Sequence, residues 1–143
     1  MVVGIRTSAL NLLAQREHSK VELQNKLVAK GFDVAGVTKV VQELSQQGLQ
    51  SDERFVEGYI AMRSRRGFGP LRIQAELCER GIVQELIKQF FQGYDWFDLI
   101  KIVRRKKFGQ ELPRNFHDQT KQMRYLYYKG FNVDLIKLVL KVE

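Results

Sequence analysis

An all-α fold of three tandem three-helix repeats, forming an elongated or curved helical array, is what this sequence predicts, on three observations. Three glycines, Gly31, Gly81 and Gly130, recur 50 and 49 residues apart. The same residue types flank each of them at fixed offsets. Only two prolines, Pro70 and Pro113, interrupt the 143 residues, which leaves long stretches free to be helical.

The offsets carry the physics. Lys30, Arg80 and Lys129 precede the glycines; Phe32, Ile82 and Phe131 follow them. Leu27, Leu77 and Leu126 lie four residues before, and Val37, Ile87 and Ile136 six residues after. Apolar pairs come next: Val40-Val41, Phe90-Phe91 and Val139-Leu140. A glycine just past a helix end takes the left-handed conformation that closes a Schellman cap. The residue after it then packs back on the helix, pairing Phe32 with Leu27, Ile82 with Leu77 and Phe131 with Leu126. The preceding cation sits at the negative end of the helix dipole.

In chain order, repeat 1 spans residues 1–50. Its first helix is expected near Ile5–Arg16, with Leu10 and Leu13 inward. Ser19 with Glu22 forms a capping box that opens the second helix, and Asp33 caps the third. Repeat 2 spans residues 51–94. Ser51-Asp52-Glu53 opens a helix carrying Phe55, Tyr59 and Ile60, and Gly69 followed by Pro70 opens the next. Val83 occupies the following cap position and weakens that start. Repeat 3 spans residues 95–143. Its first helix covers about Trp96–Lys107, with Trp96, Leu99, Ile100 and Val103 inward, followed by a longer loop, Phe108–His117. Asp118 is the expected cap of the next helix and Asn132 of the last. No segment reads as a strand.

Composition narrows the function classes. With 44% hydrophobic and 28% charged residues, the chain has a globular, ordered composition. No apolar run reaches the roughly eighteen residues that a bilayer demands, and Met1–Arg6 lacks the apolar core of a secretory signal. A lone cysteine, Cys78, excludes an internal disulfide framework and suits a reducing cytoplasm. Lys and Arg exceed Asp and Glu by 24 to 16, and the excess is +5 in residues 95–143 against +2 and +1 in the preceding repeats. Such an imbalance points to a polyanionic partner, nucleic acid or an assembly that contains it.

Two basic constellations are candidate binding sites. Arg63, Arg65, Arg66 and Arg72 surround Gly67-Phe68-Gly69-Pro70, a turn leading into a helix N-terminus where a phosphate or carboxylate could sit; the competing reading is a tight turn with solvated arginines. Arg104-Arg105-Lys106-Lys107 ends a helix, where the dipole alone favours cations. Lys101, Lys121 and Arg124 enlarge it into a patch, and Tyr125, Tyr127 and Tyr128 interleave with it, at least one of them as core. No catalytic constellation is expected: His18 and His117 read as surface or cap residues, and Cys78 as a buried small hydrophobe. No enzyme activity, metal or cofactor is expected.

Three segments carry a family resemblance. They are Arg16-Glu17-His18-Ser19 with Glu22-Leu23, Lys26-Leu27 and Lys30-Gly31-Phe32; then Asp52, Arg54-Phe55, Tyr59, Arg63, Gly67-Phe68-Gly69-Pro70, Ile73, Glu76-Leu77 and Arg80-Gly81-Ile82; then Arg124-Tyr125-Leu126 with Lys129-Gly130-Phe131. Together they closely resemble the bacterial RecX regulatory family over nearly the whole chain, the middle segment most specifically. Tyr125 stands where the family pattern expects phenylalanine. The resemblance implies a non-enzymatic, inhibitory modulator of the RecA recombinase. It would lie in the helical groove of the RecA–single-stranded DNA filament and hinder filament growth, ATP hydrolysis, strand exchange and the co-protease function. A cytoplasmic monomer with a salt-sensitive nucleic-acid contact is expected.

Two other readings stay open. A helical-repeat scaffold for another protein would recover that partner, and no RecA, in a pull-down. A sequence-reading DNA binder would need basic and amide groups on its recognition helices. The helices after the three glycines offer few: Lys39 with Glu43, then Gln84, Glu85 and Lys88, then Asp134 and Lys137.

Overall fold

The computed structural model describes residues 4–142. Met1–Val3, part of the stretch read as lacking a leader, and Glu143 lie outside the described residues. Nine helices and no strand occur among those described. In the first repeat they are α1 (Ile5–Gln15), α2 (Lys20–Ala29) and α3 (Val34–Gln46). In the second they are α4 (Asp52–Arg65), α5 (Pro70–Glu79) and α6 (Gln84–Phe91), and in the third α7 (Trp96–Phe108), α8 (Phe116–Lys129) and α9 (Val133–Leu140).

The expected glycine caps are present in all three copies. Gly31, Gly81 and Gly130 have φ of 99°, 81° and 107°. The amide after each glycine bonds the carbonyl of the leucine four residues before it: Phe32 to Leu27 at 3.3 Å, Ile82 to Leu77 at 3.1 Å, Phe131 to Leu126 at 3.2 Å. These bonds satisfy carbonyls that a helix end would otherwise leave orphaned. Two further caps of the same kind close α3 at Gly48 and α4 at Gly67, with Leu49 bonded to Leu44 and Phe68 to Arg63.

The expected starts hold at Ser19 with Glu22, at Asp33 and at Asn132. One start moves. The cap of α8 is Asn115, whose side chain accepts from the Asp118 amide at 2.8 Å, so Asp118 lies inside the helix. The loop before it is correspondingly shorter than expected.

By backbone proximity the chain divides into two compact units, Met1–Gly58 with Leu77–Ile87, and Tyr59–Glu76 with Lys88–Glu143. In the first unit Ala9, Leu12, Leu23, Leu27, Val37 and Val41 form a buried cluster, with Leu10 and Leu13 packed at its edge. Leu77, Ile82 and Ile87 are also buried there. In the second unit the cluster is Ile100, Val103, Leu126, Phe131, Ile136 and Val139, flanked by Leu99 and Tyr125. The repeat leucines are fully buried in every copy.

Each unit contains one junction between successive repeats, and the two junctions are built alike. In the first unit the Ser19 hydroxyl donates to the Arg80 carbonyl at 2.7 Å, and Val21 fills the space beside Gly81. In the second, the equivalent Gly69 amide donates to the Lys129 carbonyl at 2.8 Å and the Leu71 amide to the Gly130 carbonyl at 2.9 Å. A Cβ on Gly69 would fall 2.6 Å from the Gly130 oxygen, so no larger residue fits there. In the second junction the start of α5 and the end of α8 thus satisfy each other's unpaired backbone groups, whereas in the first a side-chain hydroxyl satisfies the carbonyl.

Candidate interaction groove

The junction in the second unit decides what the arginine-flanked turn can do. Gly67 caps α4 and folds Phe68 back beneath the residue four positions before that glycine, Arg63. The Arg63 guanidinium lies 3.8 Å from the Phe68 ring centre, with Arg72 at 4.4 Å and the Lys129 ammonium at 3.9 Å. The ring's quadrupole attracts all three cations, and two of them, Arg63 and Arg72, share a counterion.

That counterion is Glu76. Arg63 grips its two oxygens, Nε to Oε1 at 2.9 Å and Nη2 to Oε2 at 2.8 Å, Tyr59 donates to Oε1 at 2.9 Å, and Arg72 reaches Oε2 at 3.3 Å. Burial opposes ionisation of Glu76, but the bonds from Arg63 and Tyr59 outweigh it and hold the carboxyl below its ordinary value. The expected phosphate cradle is therefore corrected. The amides at the start of α5 bond Lys129 and Gly130, and Arg63 and Arg72 are engaged with Glu76.

Arg104 is a second correction. It is 3% exposed and faces inward, away from the basic row on the surface. Its guanidinium donates to the carbonyls of Gly109, Gln110 and Glu111 at 3.0, 3.1 and 3.2 Å, pinning the loop after α7. Burial first, and Arg105 second, depress its pKa from the ordinary value. Two smaller expectations also change. Cys78 is exposed, and His18 is fully buried.

What the structure brings together is Arg65 and Arg66 from the second repeat with Lys106 and Lys107 from the third. They line one groove of about 380 Å³, with Lys129 as a fifth cation and Leu99, Ile102 and Val103 among the apolar residues lining it. An adjoining trough of about 490 Å³ shares Lys107 and Tyr125 and adds Lys121, Arg124, Phe108 and Phe116. Among the described residues neither is lined by any Asp or Glu. Arg65, Arg66, Lys106, Lys107, Lys121 and Arg124 are exposed and make no ion pair among the described residues. Lys101 and Arg105 instead line a separate hollow with Phe97 and Leu138, where the Lys101 ammonium sits 4.7 Å from the Phe97 ring.

Lys129 and Phe68 escaped the sequence reading as members of this cluster. Phe68 follows Gly67 as Phe32 follows Gly31, so the same cap signal could have placed it. Burial first, and Arg72 second, pull the Lys129 ammonium below its ordinary pKa. Of the three tyrosines, Tyr125 is half-buried against the core of the second unit, while Tyr127 and Tyr128 are exposed.

Comparison with known proteins gives concordant results. Residues 6–44, 51–89 and 94–140 match family models described as the first, second and third three-helix domains of RecX. The chain is 35% identical over 141 residues to Regulatory protein RecX of Ectopseudomonas mendocina (strain ymp), covering 97% of this chain and 94% of that one. It is 36% identical over 141 residues to Regulatory protein RecX of Pseudomonas fluorescens, covering 97% and 91%. The crystal structure of RecX from Lactobacillus salivarius is similar in fold, with TM-score 0.80 at 19% identity, over 96% of this chain and 92% of that one.

Proposed function

This chain belongs to the RecX family of regulatory proteins, and on that premise we propose that it is a negative modulator of the RecA recombinase. It binds the RecA–single-stranded DNA filament in the cytoplasm, within the filament's helical groove. There it hinders filament extension, ATP hydrolysis, strand exchange and co-protease activity. It acts as a monomer, without a cofactor, and adds a weak, salt-sensitive contact to nucleic acid.

The observation that supports this reading best is the single groove made by the two basic constellations. Exposed cations that make no ion pair among the described residues raise the local potential toward a polyanionic assembly and speed encounter with it. The contacting set is Arg65, Arg66, Lys106, Lys107, Lys121 and Arg124, with Lys101 and Arg105 adding charge from their separate hollow. Arg63, Arg72 and Arg104 support it from within.

The test is RecA ATPase on single-stranded DNA, titrated with the purified protein. Inhibition at stoichiometric amounts, lost when Arg65, Arg66, Lys106 and Lys107 are reversed to Glu, is the expected result. An unchanged ATPase rate and filament length with the wild-type protein would overturn the proposal.

A further inference from the structure

We infer that the paired grooves of the second unit form a docking channel for an acidic peptide segment carrying apolar anchor residues, supplied by the protein partner. This rests on the regulatory reading above and names the chemistry its groove would take.

The rim and the floor point to different parts of one ligand. Seven cations line the two grooves, Arg65, Arg66, Lys106, Lys107 and Lys129 in one and Lys121 and Arg124 in the other, and no Asp or Glu among the described residues does. That composition selects a polyanion. Among the cations, Leu99, Ile102 and Val103 give the first groove an aliphatic lining. Ile102 is 52% exposed, apolar surface that no neighbouring side chain covers in full. A ligand that only neutralised the rim would leave this surface in water.

A nucleic acid fits the rim but not the floor. Bases bind by stacking on flat π faces, and branched aliphatic side chains offer none. Tyr125 meets Phe108 edge-on, ring centres 5.4 Å apart at 89°, and the Lys107 ammonium lies 5.4 Å from the Tyr125 centre. Phe116, 83% exposed, and its neighbour His117 are the open rings of the second groove, both in the first turn of α8. Two adjacent rings in one helical turn do not make a track for successive bases. An acidic segment with leucine or phenylalanine anchors fits both. Its apolar side chains bury against Ile102 and Leu99 and beside Phe116, while its carboxylates meet the rim. Lys107 and Tyr125, shared by the two grooves, let one extended or helical segment run through both.

The experiment is fluorescence anisotropy with three labelled probes and the full-length protein. The first is a short synthetic peptide rich in Asp and Glu, with two leucines one helical turn apart. The second has those leucines replaced by serine, and the third is an oligo-deoxythymidine. The leucine peptide is expected to bind about tenfold more tightly than the serine peptide, the factor that partial burial of two apolar side chains supplies. Ile102→Glu should abolish that preference, and Lys106→Glu/Lys107→Glu should weaken both peptides. Circular dichroism checks that the variants keep their helices.

Equal affinity for the two peptides would overturn the inference. So would tighter binding of the oligonucleotide that ignores Ile102→Glu, which would mark the groove as a phosphate surface. The regulatory reading fails on a different readout, wild-type protein that leaves RecA ATPase unchanged, so the two failures are distinguishable.

Discussion

Val21 occupies the space into which a side chain on Gly81 would project. The repeated glycines therefore do two different jobs. Gly31 needs only its left-handed φ of 99°, and nothing among the described residues lies within 4 Å of where its Cβ would be. At Gly130, φ is 107° and a Cβ would come within 2.5 Å of the Arg72 Cβ and 2.8 Å of the Arg72 backbone nitrogen.

The three Gly→Ala variants should separate accordingly. Gly31→Ala carries only the left-handed penalty, about 1–2 kcal/mol. Gly81→Ala and Gly130→Ala add overpacking and should lose roughly 3 kcal/mol or more. Urea unfolding midpoints check this; three equal losses would show that the junctions do not press on the glycines.

Glu76 should supply an acid-sensitive part of the stability. Its folded pKa is lowered, so the contribution is full above the unfolded value of 4.5 and is lost as pH falls through the folded one. Glu76→Gln should flatten the stability-against-pH curve below about pH 4.5 and lower stability at neutral pH by roughly 2 kcal/mol. Denaturant melts at a series of pH values read both effects.

His18 should act in a higher window. Its Nδ1 bonds the Arg16 carbonyl at 3.0 Å and its Nε2 faces the Lys26 ammonium at 3.0 Å. This fits a neutral ring that donates from Nδ1 and accepts at Nε2. Burial first, and then the charges of Arg16 and Lys26, lower its pKa against the opposing bond to Arg16. A depressed histidine favours folding above its unfolded pKa, so this contribution fades as pH falls below 6.5. The melting temperature should drop between pH 7 and 5.5, and His18→Gln should drop less over that interval.

Arg104 and Lys106, two residues apart on α7, should respond in opposite ways. Arg104→Ala leaves three loop carbonyls without their donor and should destabilise the protein by roughly 2 kcal/mol. Lys106→Glu should leave stability within about 0.5 kcal/mol and reduce RecA inhibition. Combined with reversal of Arg65 and Arg66, its effect on inhibition should fall short of additive, because all three residues line one groove. Simple additivity would mean two separate surfaces.

What was legible in the sequence was local. Caps at Ser19, Asp33 and Asn132 and the glycine closures draw on residues within one turn, so spacing alone exposes them. Asn115 lay equally in view, three residues before Asp118, but alignment to the other repeats favoured the later residue. Arg104 could not be placed because its partners are carbonyls of an irregular loop. Arg63 read as a free cation because Glu76 reaches it only across a helix pair, whereas the Arg72–Glu76 pair, four residues apart on α5, was open to helical spacing. Cys78 shows a missed use of period: one step on from buried Leu77 turns a side chain roughly 100° around the helix.

The first amides of α5 are held by the last carbonyls of α8, some sixty positions further along the chain. The second repeat therefore borrows its helix start from the third. A fragment ending at residue 94 would keep every residue of α5 and still expose the Gly69 and Leu71 amides. Sequence alignment marks where the copies begin and end, but scissors placed there would fray the helix they were meant to spare.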